Sequence, residues 1–141
     1  MNKEQIMEVI PHRDPFLLID EIIEMEPGQR VVAKKYMKED EFWFKGHFPG
    51  YPVVPGVLML EMLAQAGAVA MLSLPENKGK IGLFGGVKDA KFRRQVVPGD
   101  TLILEVEIIR VKGPVGVGKA IATVDGQKAV SAEITFALMS K

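Results

Sequence analysis

The chain has 141 residues, 48% of them hydrophobic and 26% charged, with 18 basic side chains against 18 acidic ones and no cysteine. That length reads as one domain over residues 1–141 with a core of its own. Zero formal charge gives no support to nucleic acid or an anionic membrane surface as a partner, and the lack of thiols excludes disulfides and thiolate metal sites.

Asn2 is placed to cap a short helix, with Gln5 three positions on as in a capping box, and Pro11 lies beyond the end of that helix. The run FLLIDEIIEM, 16–25, predicts a strand, Pro27-Gly28 a turn, and 30–37 a second strand. Residues 39–51 read as loop. Pro55-Gly56 leads into a helix over about 57–73, which Pro75 stops. The second half is rich in strand signals, at 81–87, 91–97, 101–112, 117–124 and 128–138. From Thr101 the alternation is regular: Leu102, Leu104, Val106 and Ile108 share one face, Glu105 and Glu107 the other. In the last strand Val130, Ala132, Ile134, Phe136 and Leu138 share a face, and Asp125-Gly126 between the final two strands is a strong hairpin signal.

The helix is apolar on nearly all sides. Its 57–74 stretch is about as long as the shortest membrane spans, but it carries Glu61 and Gln65 in its middle and has no basic flanks. A buried helix is therefore expected, with no membrane span. A curved antiparallel sheet is the only cover the chain offers, and Ala64, Ala66, Gly67, Ala68 and Ala70 allow strands to approach closely. The expected class is α+β, a strongly bent sheet wrapped around one central helix. The first residues lack the apolar run of a signal peptide, which sets a cytoplasmic location as the expectation.

The segment 46–65, GHFPGYPVVPGVLMLEMLAQ, concentrates the chemistry. Between Phe48 and Pro75 the only formally charged side chain is Glu61. Its neighbours are apolar and no basic residue lies three or four places away, so burial is expected to favour its protonated form, an acid able to donate. His47 sits in a loop stiffened by Pro49, Pro52 and Pro55, and a neutral imidazole can accept a proton near pH 7. Together they suggest a general base and a general acid. Gln65, one turn after Glu61, shares its face and either orders the carboxylate or satisfies a backbone group. Gly56, at the start of the helix, has an N–H free to polarise a carbonyl. His12, beside Arg13 and Asp14, reads as structural. Two histidines and one buried carboxylate do not fill a ligand set, so no metal is expected. Lys88, Lys91, Arg93 and Arg94, against the single acid Asp89, form a candidate docking patch for an acidic partner.

The 46–65 segment resembles the FabZ-type 3-hydroxyacyl-[acyl carrier protein] dehydratases of type II fatty acid synthesis. So do PHRDPFLLID (11–20), FRRQVVPGD (92–100) and KAIATVDGQKA (119–129). The likeness covers nearly the whole chain. It implies a hotdog fold and a catalytic pair of His47 and Glu61, with Glu61 supplied by the neighbouring subunit of a homodimer and three such dimers assembling together. It implies a thioester carbonyl held by the Gly56 N–H, a Gln65 that orders the acid, and no cofactor. Phe48, Pro55 and Val57 flank these groups and are read with them as substrate-binding positions. It also implies an acyl carrier protein as partner, received by the basic patch. Glu61 favours the FabZ type over the related FabA type, which carries aspartate there. Many relatives have tyrosine where this chain has Asp14, and some have a tunnel tyrosine where it has Leu83, so no gating residue is assigned. Three alternatives stay open: a dehydratase that also isomerises trans-2 to cis-3 enoyl chains, an acyl-thioesterase, and a non-catalytic acyl-thioester-binding subunit.

Overall fold

The computed structural model describes residues 1–141. Helix α1, Lys3–Met7, starts at the capping box of Asn2 and Gln5 that the sequence announces. Strands β1 (Glu21–Glu26) and β2 (Arg30–Tyr36) form a hairpin, and the long helix α2 spans Gly56–Leu72. After a 3₁₀ turn at Pro75–Asn77 come β3 (Ile81–Phe92), β4 (Thr101–Lys112), β5 (Val115–Val124) and β6 (Gln127–Met139). They form one antiparallel sheet in the order β1-β2-β4-β5-β6-β3. At the β5–β6 turn Asp125 and Gly126 take φ of 49° and 79°, the two positive values that a tight two-residue hairpin requires.

Every strand of the sheet contacts α2, so the sheet curves around the helix in the hotdog arrangement. Leu102 and Leu104 of β4 and Val130 and Ile134 of β6 point inward with Met62, Leu63, Ala66 and Val69 of the helix, and Glu105 and Glu107 face out. A Cβ on Gly118 would come within 2.9 Å of the Val106 side chain, so glycine there lets β5 pass close by. The sheet is not the only cover. Residues 16–20 and the loop after β2, with buried Trp43, Phe44 and Val54, close other sides of the helix.

Two strand expectations change. Of the strand expected over 16–25, only Glu21–Glu26 pairs as β1, because residues 16–18 turn their backbone groups to Gln65 on α2. The two strands expected at 81–87 and 91–97 are one strand ending at Phe92. A bulge between Lys88 and Lys91, with Asp89 at φ 53°, lets it continue along β6. Residues 93–97 leave the sheet edge, and the Val96 carbonyl accepts the Val54 N–H of the His47 loop.

One internal charge escaped the sequence reading. Lys35 is buried on β2, with its Nζ 2.8 Å from Glu41 and 3.7 Å from Asp20, and 5.9 Å from the Trp43 ring centroid. Glu41 and Trp43 belong to the loop that leads to His47. Lys35→Ala leaves Glu41 without its cation, and we expect a loss of about 3 kcal/mol in urea unfolding. A loss under about 1 kcal/mol would show that this pair does not hold the loop.

Candidate active site

The loop 47–53 is closed by its own backbone. Phe48 and Tyr51 exchange N–H to carbonyl bonds of 2.9 and 2.8 Å, and the Val53 N–H donates to the His47 carbonyl at 2.9 Å. The His47 ring stacks on Phe48 with centroids 4.0 Å apart. Its Nδ1 lies 2.8 Å from the Val53 carbonyl. A carbonyl only accepts, so Nδ1 carries the proton and Nε2 keeps a free lone pair, the form a general base needs. His47 lines a shallow depression with Val53, Gly56, Met59, Phe92 and Arg93.

Gly56 is the first residue of α2, and Pro55 before it offers no side chain to cap the first turn. A Cβ on Gly56 would lie 2.7 Å from the Phe92 ring, so a larger residue would force that ring aside. Phe48 and Val57 are exposed beside it, and Pro55 is half-buried.

Glu61 lies part-way down the helix on a face the sheet leaves open: Val57, Leu60, Glu61, Ala64 and Ala68 are all partly or largely exposed. Gln65 orients its carboxylate. The Gln65 Nε2 donates to Glu61 Oε2 at 3.0 Å and to the Phe16 carbonyl at 2.8 Å, and its Oε1 accepts the Leu18 N–H at 2.9 Å. The amide therefore does both things the sequence allowed. The opposite orientation would set its oxygen against a carbonyl and a carboxylate, which fixes the assignment. Glu61 opens into a largely apolar cavity walled by Ala68, Leu83, Phe84, Ile134 and Phe136.

A second group reaches this carboxylate from far away in sequence. His12 Nε2 is 3.7 Å from Glu61 Oε2, and both side chains are about four-fifths buried. Burial lowers the His12 pKa; Glu61 opposes that shift and Arg13 adds to it. The unfolded chain thus binds a proton at His12 more readily than the folded one. Its contribution to stability is present above the ordinary value of 6.5 and lost as the pH falls below it. Thermal unfolding between pH 7 and pH 5.5 should fall more steeply in the native protein than in His12→Gln, and equal slopes would contradict this. The signal the sequence held was the pattern PHRDPF itself, since spacing could not show that residues 12 and 61 meet.

Within one chain, the His47 depression and the Glu61 cavity share no lining residue. What links them is β3: Gly82, Leu83 and Phe84 wall the Glu61 cavity, and Phe92 walls the His47 depression. β3 is also an open sheet edge carrying exposed Leu83, Phe84, Val87 and Phe92. The other edge, at β1, is met by Met1, which exchanges two bonds with Ile22.

Of the basic residues, Lys88, Lys91 and Arg93 are exposed. Lys91 and Arg93 share a broad surface groove with Lys119 and Lys128, which the sequence reading did not include. Arg94 is drawn inward: its Nη1 donates to the Val124 carbonyl at 3.1 Å and its Nη2 lies 3.9 Å from Asp100. No group of three or more His, Cys, Asp or Glu side chains is placed to hold a metal ion, and no helix is long and apolar enough to cross a membrane.

A family profile described as FabA-like domain matches residues 10–133. Among curated relatives, the 3-hydroxyacyl-[acyl-carrier-protein] dehydratase FabZ of Clostridium novyi is 61% identical, over 96% of this chain and 95% of its own length. That of Oceanobacillus iheyensis is 59% identical, over 98% and 99%, and that of Staphylococcus aureus 62%, over 95% and 92%. Among solved structures, the dehydratase heterocomplex ApeI:P from Xenorhabdus doucetiae superposes with a TM-score of 0.82 at 16% identity, over 96% of this chain and 91% of that one. A hypothetical thioesterase with coenzyme A from Streptococcus pneumoniae gives 0.66 at 16%, over 86% of each. At that identity the last two speak for the fold alone. Nearly end-to-end identity of about 60% is a different matter, and by it this chain belongs to the FabA-like family, among its FabZ 3-hydroxyacyl-[acyl-carrier-protein] dehydratases.

Proposed function

We propose that this protein eliminates water from a (3R)-3-hydroxyacyl thioester on acyl carrier protein, giving the trans-2-enoyl thioester, as a cytoplasmic enzyme of fatty acid synthesis. The observation that carries the chemistry is the division of labour between two side chains. His47 keeps Nε2 free by tying Nδ1 to Val53, while Glu61 is oriented by Gln65 in an apolar cavity. His47 takes the proton from the carbon next to the thioester carbonyl. The released electron pair forms the new C=C bond, the C–O bond breaks, and Glu61 gives its proton to the departing hydroxyl, so that water leaves. The Gly56 N–H, at the positive end of α2, supports charge developing on the thioester oxygen. A proton then passes through solvent from imidazolium to carboxylate and resets the pair. The thioester itself acidifies the α-carbon, and no step calls for a metal or other cofactor.

The working unit of this reading is a homodimer joined along β3. Pairing β3 with a second copy about Val87 and Lys88, antiparallel as a two-fold axis requires, sets Leu83 of one chain opposite Phe92 of the other. The Glu61 cavity of one copy then meets the His47 depression of its mate, and the long apolar edge is covered. Three such dimers would make the hexamer. Arg93, which lines the His47 depression, and Lys88 and Lys91, exposed on β3, would receive the acidic carrier protein, and Arg94, held by Asp100 and Val124, would shape that surface from within.

Mass analysis of products from 3-hydroxyacyl-acyl carrier protein substrates tests the activity. Loss of one water with only the trans-2 product is the expected result. A cis-3 product in addition would make the enzyme bifunctional, and no loss of water from folded protein would refute the reading.

A further inference from the structure

We propose that His12 is a positioning residue for the dehydration: as a neutral imidazole protonated on Nε2, it faces Glu61 Oε2 and thereby places the acid proton on Oε1, the oxygen that neither Gln65 nor His12 meets. This rests on the reading of Glu61 as the acid. The two nitrogens of the ring meet different surroundings. Nδ1 is buried and has no hydrogen-bond partner, whereas Nε2 faces a carboxylate oxygen 3.7 Å away. A buried N–H left without an acceptor costs more than an unfilled lone pair, so the proton belongs on Nε2.

That tautomer has a consequence for Glu61. Its Oε2 already accepts from Gln65 Nε2 at 3.0 Å. With a second N–H aimed at the same oxygen, Oε2 is the acceptor end of the carboxyl and the transferable proton sits on Oε1. The gap of 3.7 Å is too long for a hydrogen bond while Glu61 is uncharged. It can shorten as Glu61 loses its proton and negative charge develops, because such contacts often tighten only on reaction. A neutral donor suits this task. A charged imidazolium at the same place would hold Glu61 ionised and unable to donate. Arg13, the other cation beside the ring, is directed away: its Nη1 donates to the carbonyls of Ile10 and His12 and its Nη2 to that of Met7. Because Nδ1 is sealed from solvent, the ring is not a proton conduit, and its role is confined to orientation and to charge on Oε2.

The test uses the full-length protein in three measurements. ¹⁵N chemical shifts of the His12 ring in the native protein at pH 7.5 should show the proton on Nε2; a proton on Nδ1 would overturn the proposal whether or not any variant folds. His12→Leu should lower kcat about 10- to 100-fold with KM changed less than about twofold, and His12→Gln, which keeps a neutral N–H donor, should recover to within about fivefold of the native rate. Native activity in His12→Leu, or a His12→Gln as slow as His12→Leu, would overturn it. In a Glu61→Gln background, His12→Leu should cost nothing more. If Glu61→Gln itself stays active, the acid assignment fails, and the ¹⁵N result still reports the His12 tautomer separately.

Discussion

Alanine at His47 should lower kcat about 10³- to 10⁴-fold while the folded state survives. The imidazole makes one hydrogen bond, from Nδ1 to the Val53 carbonyl, and stacks on the exposed Phe48. The loop around it is held by backbone bonds that alanine leaves intact. The loss should therefore appear in turnover, with a denaturant midpoint close to that of the native protein. A variant that folds normally and keeps more than about a tenth of the activity would remove His47 from the role of base.

Glu61→Gln should be nearly as damaging, about 10³-fold in kcat, for a different reason. Glutamine fills the same volume and still offers Gln65 an oxygen to donate to, so the packing of α2 is preserved. An amide cannot release a proton to a leaving hydroxyl. If the acyl chain lies against the apolar walls around Ala68, Leu83 and Ile134, its binding does not depend on the carboxylate and KM should move less than about threefold. A large rise in KM with kcat unchanged would mean that Glu61 binds substrate without acting as the acid.

The fold was legible where pattern and packing agree. The alternation from Thr101 set the inward face of β4, Asp125-Gly126 marked the β5–β6 hairpin, and the uniform apolarity of 57–73 marked the central helix. Legibility failed where distant residues override local preference. FLLID looks like strand, yet Gln65 claims the backbone of Phe16 and Leu18. Asp89 interrupts β3 only as a bulge, because β6 continues beside it. In the site, Glu61 and Gln65 were visible because helical spacing puts them on one face, and His47 because three prolines frame it. His12 was not, since only the fold brings residues 12 and 61 together, and Lys35 was hidden because alternation on β2 does not reveal that Glu41 folds back over it.

The proposed dimer builds one reaction centre from His47 of one chain and Glu61 of another, and mixing two inactive variants, His47→Ala and Glu61→Gln, unfolded together and refolded in equal amounts, probes that sharing. A dimer carrying one of each has one centre with both groups intact and one with neither. Random pairing makes half of the dimers mixed, so the mixture should recover roughly a quarter of native activity, against about 10⁻³ for either variant alone. A mixture no more active than the separate variants, with subunit exchange verified, would contradict the shared centre.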